Sequence, residues 1–207
     1  HAGRMNTGKT RGMTFKENID KEELVNYPLS GFRGDIVLVD NYSEIKKSAR
    51  ILRSADVLGF DTETKPSFRK GRGNKVALLQ LSDNKTAYLF RLNSIGLPDE
   101  IAGILADRSI IKAGVAVHDD LKALKALNHF KEEGFVELQD YVKKFGIESS
   151  GLQKLSAIIL GFRISKRQQV TNWESPELSE AQMVYAATDA WVCYEIYKKL
   201  GNTIALK

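Results

Sequence analysis

Apolar and polar positions along the chain fall into short runs that switch between the two-residue period of strands and the longer period of helices. A short helix is predicted from Glu22 towards Leu29, stopped by Pro28 and the turn residues Ser30-Gly31. The β-branched run Ile36-Val37-Leu38-Val39 predicts a strand, and Asn41 caps a helix running to Arg53. Further strands are predicted at 57–61, 75–81 and 86–90, with Asp83-Asn84 supplying turn chemistry between the last two. A helix at 98–106, a brief strand at 110–113 and a helix starting near Asp119-Asp120 follow, the last with Leu121, Leu124 and Leu127 on one face. One more strand is predicted at 135–138. Beyond it the pattern is helical, over 139–146, 151–160 and 179–199. A mixed sheet early and helices late predict a single α/β domain.

Residues 1–20 lack this periodicity and read as a flexible tail, its first dozen residues partly an expression-tag remnant, with the domain at 21–207. Within the tail, Gly3-Arg4-Met5-Asn6-Thr7-Gly8-Lys9-Thr10 fits the phosphate-loop pattern at every position. Such a loop grips phosphate only when a strand leads into it and a helix leaves it. Only His1 and Ala2 precede it, and Arg11-Gly12-Met13 is a poor helix start. No nucleoside triphosphate site is expected there.

Composition changes little in this picture. The 207 residues are 43% hydrophobic and 28% charged, ordinary for a soluble globular domain. No apolar run is long enough to span a membrane, and no secretory leader is expected. The single cysteine, Cys193, cannot form an internal disulfide, which suits a reducing cytoplasm. Of 31 Lys and Arg, Arg4, Lys9 and Arg11 lie in residues 1–12, which carry no acid, leaving 28 against 26 Asp and Glu. Any nucleic-acid footprint must therefore come from local clusters.

Three stretches concentrate the candidate chemistry. In Gly59-Phe60-Asp61-Thr62-Glu63-Thr64, the two acids are two apart on a strand and share a face. Two like charges so close would repel, and a divalent cation removes that cost; oxygen ligands select Mg²⁺ or Mn²⁺. A solvated strand end is the plainer alternative for such a pair. In Tyr185-Ala186-Ala187-Thr188-Asp189, phenol and carboxylate lie on one face of a helix among small and apolar neighbours. A hydrogen bond between them accounts for the pair as well as a metal does. In Gly114-Val115-Ala116-Val117-His118-Asp119-Asp120-Leu121, acids sit at a helix start, where the helix dipole favours them in any case.

Taken in order, these stretches resemble the DEDD superfamily of 3′–5′ exonucleases. The resemblance is closest to the Werner-helicase type of its DEDDy branch, with ribonuclease D more distant. It runs from about Val57 to Leu200 and includes Lys75-Val76-Ala77-Leu78-Leu79-Gln80-Leu81 and Asn172-Trp173, Leu178, Gln182 and Tyr185 to Ala190. It implies a ribonuclease-H-like mixed β-sheet flanked by helices, two divalent metal ions (Mg²⁺ or Mn²⁺), and DNA or RNA 3′ ends as partners. The first motif falls on Asp61 and Glu63 and the third on Tyr185 and Asp189. The tyrosine four residues before Asp189 marks the DEDDy branch; Val184 stands where the sister branch has histidine. The second falls on Asp120, six residues after Gly114 with Leu124 four beyond, and Asp119 is read as a helix-start residue.

The resemblance implies that Asp61 bridges both metals, Glu63 and Asp189 complete one, Asp120 supports the other, and Tyr185 orients the attacking water. Substrate contacts are expected from Thr62, from Lys65, Arg69 and Arg72 in the cationic loop after the first motif, and from Trp173. The loop can equally be solvated surface charge, and Trp173 can either stack on a base or fill a core edge. The expected activity is release of nucleoside monophosphates from a 3′ end, with DNA favoured; the alternatives are RNA 3′-end trimming of the ribonuclease D type and a catalytically inactive nucleic-acid-binding module on the same scaffold.

Overall fold

Strand β1 (Asp35–Val39) is followed by helix α1 (Tyr42–Leu52), whose first turn is closed by the Asn41 side chain accepting from the Glu44 amide. The computed structural model describes residues 14–203, so the phosphate-loop-like stretch at 3–10 lies outside the described residues. Strands β2 (Val57–Thr64), β3 (Val76–Ser82) and β4 (Thr86–Arg91) come next. The β3–β4 turn is held by Asp83, whose carboxylate accepts from the Lys85 and Thr86 amides. Then come α2 (Leu92–Ile95), α3 (Asp99–Leu105), β5 (Ile111–Gly114), α4 (Val117–Lys125), β6 (Phe135–Glu137), α5 (Leu138–Tyr141), α6 (Leu152–Leu160) and α7 (Glu180–Gly201).

The strands form one mixed sheet in the order β1-β4-β3-β2-β5-β6. Strand β3 runs antiparallel to β2 and β4, whereas β1 with β4, and β2 with β5 and β6, are parallel. The central strand β3 is buried at every position, as a strand covered on both faces must be. On one face Phe60, Leu79, Leu81 and Phe90 pack against α1, α3 and α4 through Ile45, Leu52, Ile101, Leu105 and Leu124. On the other, Leu78 and Leu89 meet Ala186 and Ala187 of α7, and α6 packs beside them through Leu155 and Ile159. Strand alternation therefore directs Phe60 to the first face and Gly59, Asp61 and Glu63 towards α7.

Helix α7 begins with a reciprocal capping box between Ser179 and Gln182. It crosses the sheet close to β2 because Gly59 has no side chain: a β-carbon there would lie 1.7 Å from the Ala190 carbonyl oxygen. That approach brings Asp189 over the strand carrying Asp61.

Part of the expected tail is folded. Ile19 is buried, its amide donates to Ser149 Oγ at 3.2 Å, and the Glu17 carbonyl accepts from the Glu148 and Ser149 amides. Two isolated apolar residues, Phe15 and Ile19, seat this segment, too few to produce a periodic signal. Helix α4 also starts earlier than expected, at Val117, after Ala116 in a left-handed conformation (φ 54°).

Lys112 of β5 is fully buried, and its ammonium donates to the Ile104 and Asp107 carbonyls at 2.9 and 2.7 Å. It thus closes the C-terminal end of α3, where a cation is favoured. Burial pushes its pKa down to about 8, against the charges of Asp107 and Glu133. The unfolded chain holds this proton to about pH 10.5, so wild-type stability should rise from about pH 8 to 10.5 relative to Lys112→Met. Thermal unfolding of both proteins across that window measures the difference.

Candidate active site

Asp61, Glu63 and Asp189 converge where β2 emerges beneath α7. One carboxylate oxygen from each lies within 4.8 Å of the others. Glu63 and Asp189 are buried and Asp61 is half-buried. Among the described residues no lysine or arginine pairs with any of the three.

The electrostatics follow from that isolation. Burial, then the charges of Glu63, Asp189 and Asp120, hold the Asp61 carboxyl well above its ordinary range. Burial and the Asp189 charge push Glu63 up to about 9, against the hydrogen bond from Gln80. Asp189 rises to about 7 through burial, with hydrogen bonding from Tyr185 and Asp61 opposing the rise. Burial and the neighbouring carboxylates push the Tyr185 phenol above its ordinary value, so at neutral pH it is a hydrogen-bond donor and not a base.

Asp120 approaches from the opposite face of the sheet and stands outside the three-carboxylate group. Thr62 alternates away from Asp61 and Glu63, and its hydroxyl donates to Asp120 Oδ1 at 2.7 Å. This bond gives Thr62, expected to touch substrate, a role in holding Asp120. Burial pushes Asp120 up to about 6, and its charge acts on both Asp61 and Glu63. Asp119 and His118 are exposed. The turn before them is fixed by Glu137, whose carboxylate accepts from the Ala116 and Val117 amides at 2.9 and 3.1 Å.

Trp173, expected as a base-stacking candidate, has no exposed face. It is completely buried, with its ring centroid 5.9 Å from that of Tyr185. A side chain enclosed on all sides cannot receive a base, so its contact is a packing contact behind Tyr185. Lys65 lies 3.7 Å from Glu174, and Arg69 and Arg72 are exposed on the loop after β2. Tyr185 also lines a groove of about 660 Å³ that carries Arg33 and Arg167.

Gln80 was not singled out by its sequence alone. It is fully buried in β3, and its amide donates to Glu63 Oε1 at 3.4 Å and to the Ala186 carbonyl at 3.3 Å. The available signal was a polar residue inside the apolar run Leu78-Leu79-Gln80-Leu81. Removing that amide by Gln80→Leu should weaken Mn²⁺ binding roughly 10- to 100-fold, measured by calorimetric titration.

The donor set fits divalent metal: clustered carboxylate oxygens with, among the described residues, no nitrogen or sulfur ligand in the group and no ion-pair partner for its negative charge. Its oxygen-only character matches the Mg²⁺/Mn²⁺ class better than zinc.

Comparison with known proteins agrees with this chemistry. Residues 36–205 match the family model described as 3′–5′ exonuclease. The chain is 36% identical to the mouse bifunctional 3′–5′ exonuclease/ATP-dependent helicase WRN over 188 residues, covering 86% of this chain and 13% of that protein. It is 36% identical over 155 residues to the Drosophila melanogaster exonuclease 3′–5′ domain-containing protein 2, covering 73% of this chain and 26% of the relative. The chain thus spans only a minor part of each. Among solved structures, the exonuclease domain of Aedes aegypti Nibbler superposes with a TM-score of 0.74 at 25% identity, covering 84% of this chain and 91% of that one. Escherichia coli RNase D shares the ribonuclease-H-like fold, with a TM-score of 0.72 at 22% identity over 83% of this chain and 45% of that one. Fold, carboxylate cluster and sequence agree, and the chain belongs to the 3′–5′ exonuclease family.

Proposed function

We propose that this chain is a DEDDy-type exonuclease domain that removes nucleoside monophosphates from nucleic-acid 3′ ends by two-metal catalysis, with DNA favoured. The convergence of Asp61, Glu63 and Asp189 beneath Tyr185 carries the reading. Asp61, Glu63 and Asp189 would hold one divalent cation, and Asp61 with Asp120 the other. Such cations supply positive charge for the attacking and leaving oxygens of an in-line phosphoryl displacement.

The chain's own groups do the remaining work. Tyr185, kept neutral by burial and by the carboxylates around it, directs its phenol towards the carboxylate cluster and positions a water. Gln80 fixes Glu63, and Thr62 fixes Asp120. Gly59 sets the separation of the two acid-bearing elements. Exposed Arg69 and Arg72 on the loop after β2 would contact phosphates of the bound strand. Residues 21–203 together with the docked segment 15–20 would form the catalytic domain.

The preference for DNA is supported by 28% identity to a DNA polymerase I of Aquifex aeolicus over 82% of this chain. The RNA alternative rests on likeness of fold to Trypanosoma brucei RNase D, whose complex with RNA superposes with a TM-score of 0.68 at 21% identity over 86% of this chain and 64% of that one. Single-stranded DNA, 3′-recessed DNA and RNA, each 5′-labelled, should separate these readings in Mg²⁺ or Mn²⁺. A ladder shortened from the 3′ end, fastest on DNA and stopped by chelation, is expected. Faster shortening of RNA would reverse the preference, and no shortening of any substrate would end the enzyme reading. In the same assay Asp120→Ala should lose far more activity than Asp119→Ala.

A further inference from the structure

Phe68 is 93% exposed, the most exposed large hydrophobic side chain among the described residues. It stands on the loop joining β2 to β3, five residues after Glu63, which limits it to about 17 Å of chain from that carboxylate. The loop is braced, not slack. Asn74 donates to the Lys65 and Pro66 carbonyls at 2.8 and 3.3 Å and so closes its neck. Inside, Ser67 Oγ donates to the Arg72 carbonyl, and Gly71 (φ 79°) turns the chain back.

The charge along the loop is of one sign. Lys65, Arg69, Lys70, Arg72 and Lys75 flank Phe68 in the sequence, with no acid between positions 64 and 76. Only Lys65 has an ion-pair partner among the described residues, Glu174. An aromatic ring held in water among unpaired cations offers what a flexible polyanion with flat apolar faces requires. Its cations meet phosphates, and its ring meets a base.

We infer that Phe68 stacks on an unpaired base of the substrate strand a few nucleotides upstream of the scissile bond, while the loop cations hold the flanking phosphates. This rests on the exonuclease reading above and adds a substrate requirement, an unpaired stretch upstream of the 3′ end. A stacked base fixes the strand's register on the loop, so each cleavage requires the strand to advance past Phe68.

The test uses single strands with 2-aminopurine at successive positions from the 3′ end, bound with Ca²⁺ in place of Mg²⁺ to suppress cleavage. Wild type should quench fluorescence most at one upstream position. Phe68→Ser should lose that quenching and bind about tenfold or more weakly, and Phe68→Trp should retain both. Thymidine 5′-(4-nitrophenyl) phosphate, which has no upstream bases, should be hydrolysed alike by wild type and Phe68→Ser. Unchanged strand affinity and quenching in Phe68→Ser, with the ester still hydrolysed, would overturn the inference and leave the exonuclease reading intact. Failure of wild type to cleave either strand or ester would remove both. The exposed position of Phe68 makes loss of folding an unimportant risk.

Discussion

Asp61→Asn should abolish exonuclease activity by about three orders of magnitude or more, while making the metal-free protein more stable at pH 8. On the proposed two-metal reading the activity loss follows because Asp61 would serve both cations, whose charge stabilisation amounts to several kcal/mol of barrier. The stability gain follows from the opposite side of the same design. In the folded, metal-free chain the cluster titrates high, with Asp189 at about 7 and Glu63 at about 9. The unfolded chain releases these protons near ordinary carboxylate values, about 4. Stability is therefore fully present below about pH 4 and lost progressively as pH rises through the folded values. Removing one charge relieves part of that loss, so the gain in Tm should be larger at pH 8 than at pH 5. Equal activity in variant and wild type, or a lower Tm at pH 8, would contradict the account.

Gly59→Ala carries the second large effect. The added carbon would stand 1.7 Å from the Ala190 carbonyl oxygen and 2.8 Å from the Tyr194 amide nitrogen, both backbone atoms of α7. Neither can rotate away, so the helix must withdraw from β2. The expected cost is about 3 kcal/mol of stability. Activity should fall further than stability does, because Asp189 precedes Ala190 and must move with the helix, and catalytic geometry tolerates little displacement. Gly103→Ala, in α3 on the far side of the sheet from α7, is the matched control: nothing lies within 4 Å of its β-carbon position. Thermal unfolding and exonuclease rate, measured on both, should show a large loss at Gly59 and none at Gly103.

These residues also show what a single sequence reveals. Asp61 and Glu63 share a face by the two-residue period of a strand, and Tyr185 and Asp189 by one helical turn. Both relations are local and were readable before any fold was known. So was the Asn41 cap. What could not be read depends on contacts distant in sequence. Gly59 is an unremarkable glycine until α7 lies against it. Gln80 is one polar residue in an apolar strand until its amide meets Glu63. Trp173 could by sequence either stack on a base or fill a core edge, and only the fold, which buries it against Tyr185, decides for the second. The segment around Ile19 has no periodicity, and it is ordered by hydrogen bonds to residues 148 and 149. The phosphate-loop-like pattern at 3–10 was the most complete motif in the chain, but the weaker Asp61-Thr62-Glu63 stands in the carboxylate cluster.

The central claim is that Asp61, Glu63 and Asp189, together with Asp120, form a two-cation centre. Counting bound Mn²⁺ by electron paramagnetic resonance tests it most directly, at pH 8 with a nucleoside 5′-monophosphate present to occupy the product position. The account predicts two ions per chain in wild type and a clear loss of bound Mn²⁺ in Asp61→Asn. Asp61→Asn binding Mn²⁺ with the wild-type number and affinity would contradict it.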